Sequence, residues 1–276
     1  MTGIARRTAI GVFDSGVGGL TVLKALLEVV PEADYLYFGD TARLPYGSKS
    51  VETVSKYAAQ AVRYLEHHHA QVMVIACNTA TALALDAISQ AVRVPVIGVV
   101  EPGAEQAALE SRNRKAVVLG TEATISSHAY LKALATRGIE AREKACPLLV
   151  PLVEEGWIEH PVSEQVSRIY LSEAFSAGYE SADVLLLGCT HYPLLKPLLR
   201  RVVPSHVAII DSAQSSAQAV AKVLAKVAPA DSALRERRHA PRLRFFATDS
   251  AEKFRCLGTR FLGHPIEDVV HVDLRE

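Results

Sequence analysis

Two cysteines in matching surroundings are the residues of this chain best suited to do chemistry. Val72-Met-Val-Ile-Ala-Cys77-Asn-Thr79 and Val184-Leu-Leu-Leu-Gly-Cys189-Thr-His191 share one pattern: an apolar run, a small residue, a cysteine, then two hydrogen-bonding residues. Two thiols that face one carbon atom can invert it. One takes a proton from one face, the other returns a proton to the opposite face, and the roles swap for the reverse reaction. Proton transfer by a side chain is most efficient when its pKa lies near the working pH, and a free thiol at about 8.5 needs only modest tuning. Each cysteine also stands shortly before a helical stretch, where unpaired N–H groups and the helix dipole lower a thiol's pKa. A lone cysteine after an apolar run is usually a small buried hydrophobe. The repetition of the context favours chemistry.

Groups that could assist the thiols lie nearby in sequence. Asp14 ends the first apolar run, and His191 stands two residues beyond Cys189. Either can relay a proton or hold a thiol in the required state. The plainer readings are a helix cap for Asp14 and a turn residue for His191. The loop Asp14-Ser-Gly-Val-Gly-Gly-Leu20 invites a dinucleotide reading, with Asp40 near the position of a ribose-binding acid. The third glycine of that fingerprint falls on Thr21, however, and Asp14 would set a negative charge beside a pyrophosphate. Glycines that bring backbone amides close to a carboxylate explain the loop equally well.

Other candidates carry less. Asp40-Thr-Ala-Arg-Leu-Pro-Tyr46-Gly47 is a polar loop that could close one side of a ligand. His67, His68 and His69 occupy adjacent helical positions, which do not face one direction, so they read as a solvated helix end. Cys146 precedes a proline and Cys256 falls in a helical pattern; both read as structural. Glu154-Glu155-Gly156 reads as a helix end. No C-x-x-C pair signals zinc or redox chemistry, and the four cysteines are expected as free thiols.

The elements that must hold these residues follow a clear rhythm. Apolar runs at Ala9–Phe13, Tyr35–Phe38, Val72–Ala76, Val94–Val100, Ala116–Leu119, Val184–Leu187, Val207–Ile210 and Leu243–Phe246 alternate with helical patterns. The clearest helices are Gly19–Val30, Val51–His68, Ala80–Val92, His128–Thr136, Val162–Ser176 and Ala213–Val227. Near-continuous apolar strands alternating with helices predict an α/β fold, a parallel sheet covered on both faces. Ligands of such sheets bind beyond the carboxyl ends of the strands, where Cys77 and Cys189 both stand. A second, fainter echo matches Ile10-Gly-Val-Phe-Asp14-Ser with Val117-Val-Leu-Gly-Thr121-Glu, so two similar halves are expected, with equivalent strand ends facing across a cleft. Ala228–Pro241 reads as a surface loop.

The bulk numbers exclude several classes. Among 276 residues, 49% are hydrophobic, enough for a sizeable core. Thirty basic residues balance thirty acidic ones, which leaves no electrostatic footprint for nucleic acid or an anionic membrane. No stretch approaches the roughly 18 apolar residues of a membrane helix, and the basic Met1–Arg7 leads into a run too brief for a signal peptide. The chain reads as soluble and cytoplasmic, with a small-molecule partner.

Taken together, the segments closely resemble the glutamate racemase family. The matching text is Gly11-Val-Phe-Asp-Ser-Gly-Val-Gly-Gly-Leu20, Gly39-Asp-Thr through Pro45-Tyr-Gly47, Ala76-Cys-Asn-Thr-Ala80, Pro151-Leu-Val-Glu-Glu-Gly156, Leu187-Gly-Cys-Thr-His-Tyr-Pro193, and Asp249-Ser through Phe261-Leu-Gly263. The resemblance implies a cofactor-independent isomerase that makes D-glutamate for the bacterial cell wall. It implies Cys77 and Cys189 as acid and base, Asp14 and His191 as their assistants, and Glu154 as support for His191. Substrate contacts carry over to Asp14, Ser15, Tyr46, Gly47, Asn78, Thr79, Thr121, Thr190 and His191. It further implies two α/β domains with the site between them, residues 1–97 plus 210–276 and residues 98–209. The residues by themselves leave the substrate open, since no arginine lies in the two cysteine motifs. An aspartate or hydantoin racemase, a cysteine hydrolase using Cys189 and His191, and a non-catalytic amino-acid binding protein are the rivals. The oligomeric state is open too, a homodimer included.

Overall fold

The computed structural model describes residues 8–227 and 240–274. Ala228–Pro241, but for its last two residues, and Met1–Arg7 lie outside that range. The described strands form two sheets, and every ladder is parallel. In the first, β1 (Ala9–Asp14) lies between β2 (Asp34–Gly39) and β3 (Val72–Ile75). Beyond β3 lies β4 (Val96–Gly98), and beyond β2 lie β9 (Leu243–Ala247) and β10 (Val269–His271). In the second, β5 (Lys115–Gly120) lies between β6 (Glu140–Ala145) and β7 (Val184–Gly188), with β8 (Ala208–Asp211) outermost.

Without β9 and β10 the two sheets have the same order, β2-β1-β3-β4 and β6-β5-β7-β8. The internal echo thus has a counterpart in topology. Phe13 pairs with Ile75 and Leu119 pairs with Leu187, and each partner precedes its cysteine by two residues. The registers therefore equate Asp14 with Gly120 and Ser15 with Thr121, one residue away from the match suggested by sequence. In each sheet the chain steps outward from one central strand and returns on its other side. That reversal opens a crevice at the carboxyl ends of the central pair. Cys77 and Cys189 stand at those two crevices.

Alternation along the central strands sorts the core into three layers. Ile10, Val12 and Val74 share one cluster with Val117, Leu119, Leu185 and Leu187 of the other sheet. Into this middle layer also pack α1 (Leu20–Val29), α10 (Ser212–Val227) and α11 (Ala251–Leu262). Phe13, Met73 and Ile75 point the other way, toward α2 (Val51–His67) and α3 (Asn78–Ala91). Ala116, Val118, Val184 and Leu186 face α4 (Val100–Glu110) and α6 (Ala129–Ala135). Each fully buried leucine or isoleucine in these layers contributes about 1.5–3 kcal/mol. The helices α7 (Leu149–Glu154), α8 (Pro161–Ala174) and α9 (Lys196–Val202) close the second sheet's side of the middle layer.

Three differences from the sequence reading have physical causes. β6, with the sequence EAREKA, is a partly exposed edge strand and carries no apolar run. The Val94–Val100 run yields only the three residues of β4, because α4 begins at Val100 with Pro102 in its first turn, where proline lacks no needed N–H. β8 pairs with β7 through Asp211, so a boundary at 209/210 would cut a strand. No helix among the described residues is long and apolar enough to cross a membrane.

Candidate active site

The arm around Cys77 is built from the ends of β1 and β3. Cys77 caps the N-terminus of α3, its sulfur accepting the Ala80 N–H at 3.4 Å while its thiol donates to Ser15 Oγ at 3.5 Å. The helix terminus does not win here. Burial, and next the Asp14 carboxylate, push the thiol up to about 12 against the lowering by Ser15 and Ala80. At neutral pH Cys77 holds its proton. Asp14 is itself buried, which raises its pKa; His191 and the amides of Gly16 and Gly19 oppose the rise. Its Oδ2 accepts the Gly16 N–H at 2.8 Å, and Oδ1 has no partner. Asp14 does not cap α1, whose cap position is Gly19.

The arm around Cys189 is organised differently. After Cys189 comes a short 3-10 turn, Tyr192–Leu195, and the next α-helix begins only at Lys196. This sulfur therefore sits at no α-helix N-terminus, contrary to expectation. His191 Nδ1 lies 4.0 Å from Cys189 Sγ and 3.5 Å from Thr190 Oγ1, and Nε2 lies 3.0 Å from Glu154 Oε1 at the end of α7. Burial alone would lower the imidazole, but the bonds to Cys189 and Glu154 outweigh it and lift His191 to about 10. Glu154 is lowered, first by its bond from His191. At neutral pH an imidazolium stands between a carboxylate and a sulfur.

Two glycines hold the arms together. A Cβ on Gly18 would lie 2.6 Å from His191 Nδ1 and even closer to Thr190 Oγ1, while one on Gly19 would lie 2.6 Å from Asp14 Cβ. Only residues without side chains let the first sheet's loop slip between Asp14 and His191. Thr21 Oγ1 adds a bond to the Thr190 carbonyl at 3.2 Å. On the far side, Thr79 Oγ1 meets Thr121 Oγ1 at 3.0 Å and Thr124 Oγ1 at 3.2 Å. Asn78 Oδ1 accepts from Tyr130 at 2.5 Å, and Asn78 Nδ2 has no partner. A Cβ on Gly47 would come within 3.0 Å of Thr121, so the Asp40–Gly47 loop reaches the second half.

The site residues named from sequence thus gather along one seam. Asp14, Ser15, Cys77, Asn78 and Thr79 come from the first sheet's side, and Thr121, Glu154, Cys189, Thr190 and His191 from the second's. Tyr46 differs in one respect: its hydroxyl donates to Asp40 at 2.5 Å. Asp40 is engaged on both oxygens, accepting also from Arg43 and Thr248, and so ties the loop together. Among the described residues no group of His, Cys, Asp or Glu is arranged to hold a metal ion. Sequence reasoning missed Tyr37, whose hydroxyl donates to the Gly16 carbonyl, and Thr124, Tyr130, Arg260 and Phe261. Each has a partner distant in the chain, and although Arg260 and Phe261 fall within a stretch that carries the family resemblance, nothing in it points to Glu154 or His191.

Two sheets of matching order, each bringing a cysteine to a common seam, define a two-lobed α/β protein. The chain belongs to the Asp/Glu/Hydantoin racemase family, whose model matches residues 10–220. The resemblance to glutamate racemases extends over the whole chain. It is 58% identical to the glutamate racemase of Koribacter versatilis (strain Ellin345), covering 98% of both chains. Among solved structures, it superposes on the glutamate racemase of Francisella tularensis in complex with D-glutamate with a TM-score of 0.86 at 35% identity, covering 97% of this chain and 98% of that one. The glutamate racemase of Thermus thermophilus in complex with beta-chloro-D-alanine gives 0.85 at 42% identity, with the same coverage.

Proposed function

We propose that the protein interconverts L- and D-glutamate without a cofactor, with Cys77 and Cys189 as acid and base on opposite faces of the α-carbon. The observation that supports this most is the recurrence of a cysteine at equivalent strand ends of two like-ordered sheets, with Asp14 and His191 separated by two glycines. In the ligand-free form Cys77, protonated, is the acid, and Cys189, whose sulfur faces the His191 ring, is the base. The α-proton passes to Cys189 while Cys77 gives its own proton to the other face. One proton leaves and one arrives. The return reaction starts from the opposite protonation pattern. Asp14 exchanges protons with Cys77, and His191, held by Glu154, serves Cys189.

The same reading assigns the substrate contacts. The free Asp14 Oδ1 is an acceptor suited to an ammonium group, and the free Asn78 Nδ2 a donor suited to a carboxylate. Ser15, Thr79, Thr121, Thr190 and His191 offer further polar groups. Tyr46 and Gly47 contribute through backbone, the Tyr46 hydroxyl being committed to Asp40. The two sheets act as two domains, with the crossings after Gly98 and Asp211 in place of 97/98 and 209/210. In the cell the enzyme works in the cytoplasm and supplies D-glutamate for peptidoglycan.

The test is to incubate the purified protein with L- and D-glutamate in D₂O, following optical activity and deuterium at the α-carbon. Racemisation with solvent deuterium at that carbon is expected from either enantiomer. Turnover of aspartate instead would change the substrate and leave the mechanism standing. A covalent acyl adduct on Cys189 without α-exchange would make the protein a hydrolase. Neither exchange nor racemisation of any amino acid would leave only a binding protein.

A further inference from the structure

α11 follows β9 of the first sheet, yet its C-terminal end touches the Glu154–His191 pair of the other half. Arg260 Nη1 donates to the main-chain carbonyl of Glu154 at 2.8 Å and of Val153 at 3.3 Å. The Phe261 ring stands edge-on to His191, with centroids 5.0 Å apart and planes at 77°. α7 is only six residues long and carries no basic residue in its last turn. The last carbonyls of a helix need donors, and a cation is favoured there. Arg260 supplies both from a distant part of the chain. Gly156 makes room for it: its φ is +80°, and a Cβ there would lie 3.0 Å from the guanidinium carbon and from both terminal nitrogens.

We infer that Arg260 is a positioning residue: by gripping the end of α7 it sets the Glu154 carboxylate against His191 Nε2, and so aims Nδ1 at Cys189. The inference rests on Cys189, His191 and Glu154 forming one acid–base arm. The charged and titratable groups facing His191 are Cys189 from its own loop, Glu154 from α7 and Asp14 from the end of β1; Lys253 of α11 acts on Glu154. With Arg260 in place, Glu154 keeps its bond and the imidazolium persists to alkaline pH. Without it, the last turn of α7 loses its anchor, the carboxylate drifts, and the imidazole gives up its proton at lower pH.

The test compares Arg260→Gln and Arg260→Lys in the full chain, measuring kcat, KM and the pH profile of kcat for both enantiomers. Arg260→Gln is expected to lower kcat by about 10-fold, since an ångström of misplacement can cost about 100-fold. KM should stay within about 3-fold, because no substrate contact is removed. The alkaline limb, set by the imidazolium near 10, should move down by about half a unit or more, and Arg260→Lys should recover part of both losses. An unchanged kcat and limb would overturn the inference, as would a lower kcat with the limb unmoved, which is what a merely structural role gives. If Arg260→Gln fails to fold, Gly156→Ala crowds the guanidinium from the opposite side and must produce the same limb shift. The underlying reading fails separately: Cys189→Ser would then retain activity, whatever Arg260→Gln does.

Discussion

The two halves bring the same residue to the same strand end and then surround it differently. Cys77 caps a helix, yet burial and a neighbouring carboxylate keep it protonated. Cys189 caps no α-helix, yet it faces a cation backed by Glu154. Asp14 reaches Cys77 from the adjacent strand, whereas the register-equivalent position in the second sheet is Gly120 and the assistant comes instead from the cysteine's own loop. Topology fixes where a thiol stands, and the neighbours fix whether it holds its proton. The proposed two-base scheme needs that difference.

The largest effect that could break the comparison is at the sulfurs. Cys77→Ser and Cys189→Ser should each lower racemisation by about 10³-fold or more, because a hydroxyl is a poor proton carrier at neutral pH; polarimetry on matched enzyme amounts checks this, and full activity in either variant would sink the two-base scheme. Next, Asp14→Asn and His191→Asn should each lower kcat by about 10- to 100-fold. Racemisation has an equilibrium constant of unity, so kcat/KM must fall equally in both directions, and the inequality of the arms shows only in kcat for each direction separately. Equal losses throughout would make the helpers interchangeable.

Smaller effects sharpen the picture. Both cysteines are almost equally covered, at 5% and 6% exposed, so burial does not distinguish them. Iodoacetamide at pH 8, with peptide mapping, should therefore label Cys77 about 10-fold more slowly than Cys189, because burial and Asp14 hold the Cys77 thiol protonated and the thiolate is the reactive form. Gly18→Ala would drive a methyl group against His191 and Thr190. Overpacking of this kind costs about 1–3 kcal/mol, to be read as a lower denaturation midpoint together with reduced kcat. The smallest effect is in stability against pH. His191 binds its proton more tightly folded, at about 10, than at its ordinary 6.5, so its contribution is whole below pH 6.5 and is lost as the pH rises to 10. Cys77 acts in the same direction between 9 and about 12. The Tm advantage of the native chain over His191→Asn should thus shrink by a few degrees from pH 6.5 to 10.

Much of the first level was legible from sequence because it is local. An apolar run ending in Cys77 or Cys189 is a strand end whatever else the chain does, and the α/β alternation follows from such runs. β6 escaped because an edge strand with a half-exposed, charged sequence has no apolar signature. The site's outer contacts escaped because they are made across the chain: Tyr130 and Asn78 are 52 residues apart, and Arg260 and Glu154 are 106 apart. The thiol's protonation was misjudged at Cys77 because the helix terminus is visible in sequence while the burial that overrides it is not. Gly18 and Gly19 could be read as close-approach glycines, but not what they approach.

The matched strand order of the two sheets has a consequence for the handedness of the reaction. Any operation that lays one half of a chain of L-residues upon the other is a rotation, and a rotation never turns one enantiomer into its mirror image. A protein of this build therefore meets its two substrates through two unlike surfaces, however faithfully its strands repeat. On the proposed scheme, unequal escorts for the two sulfurs are how a handed polymer serves an achiral balance.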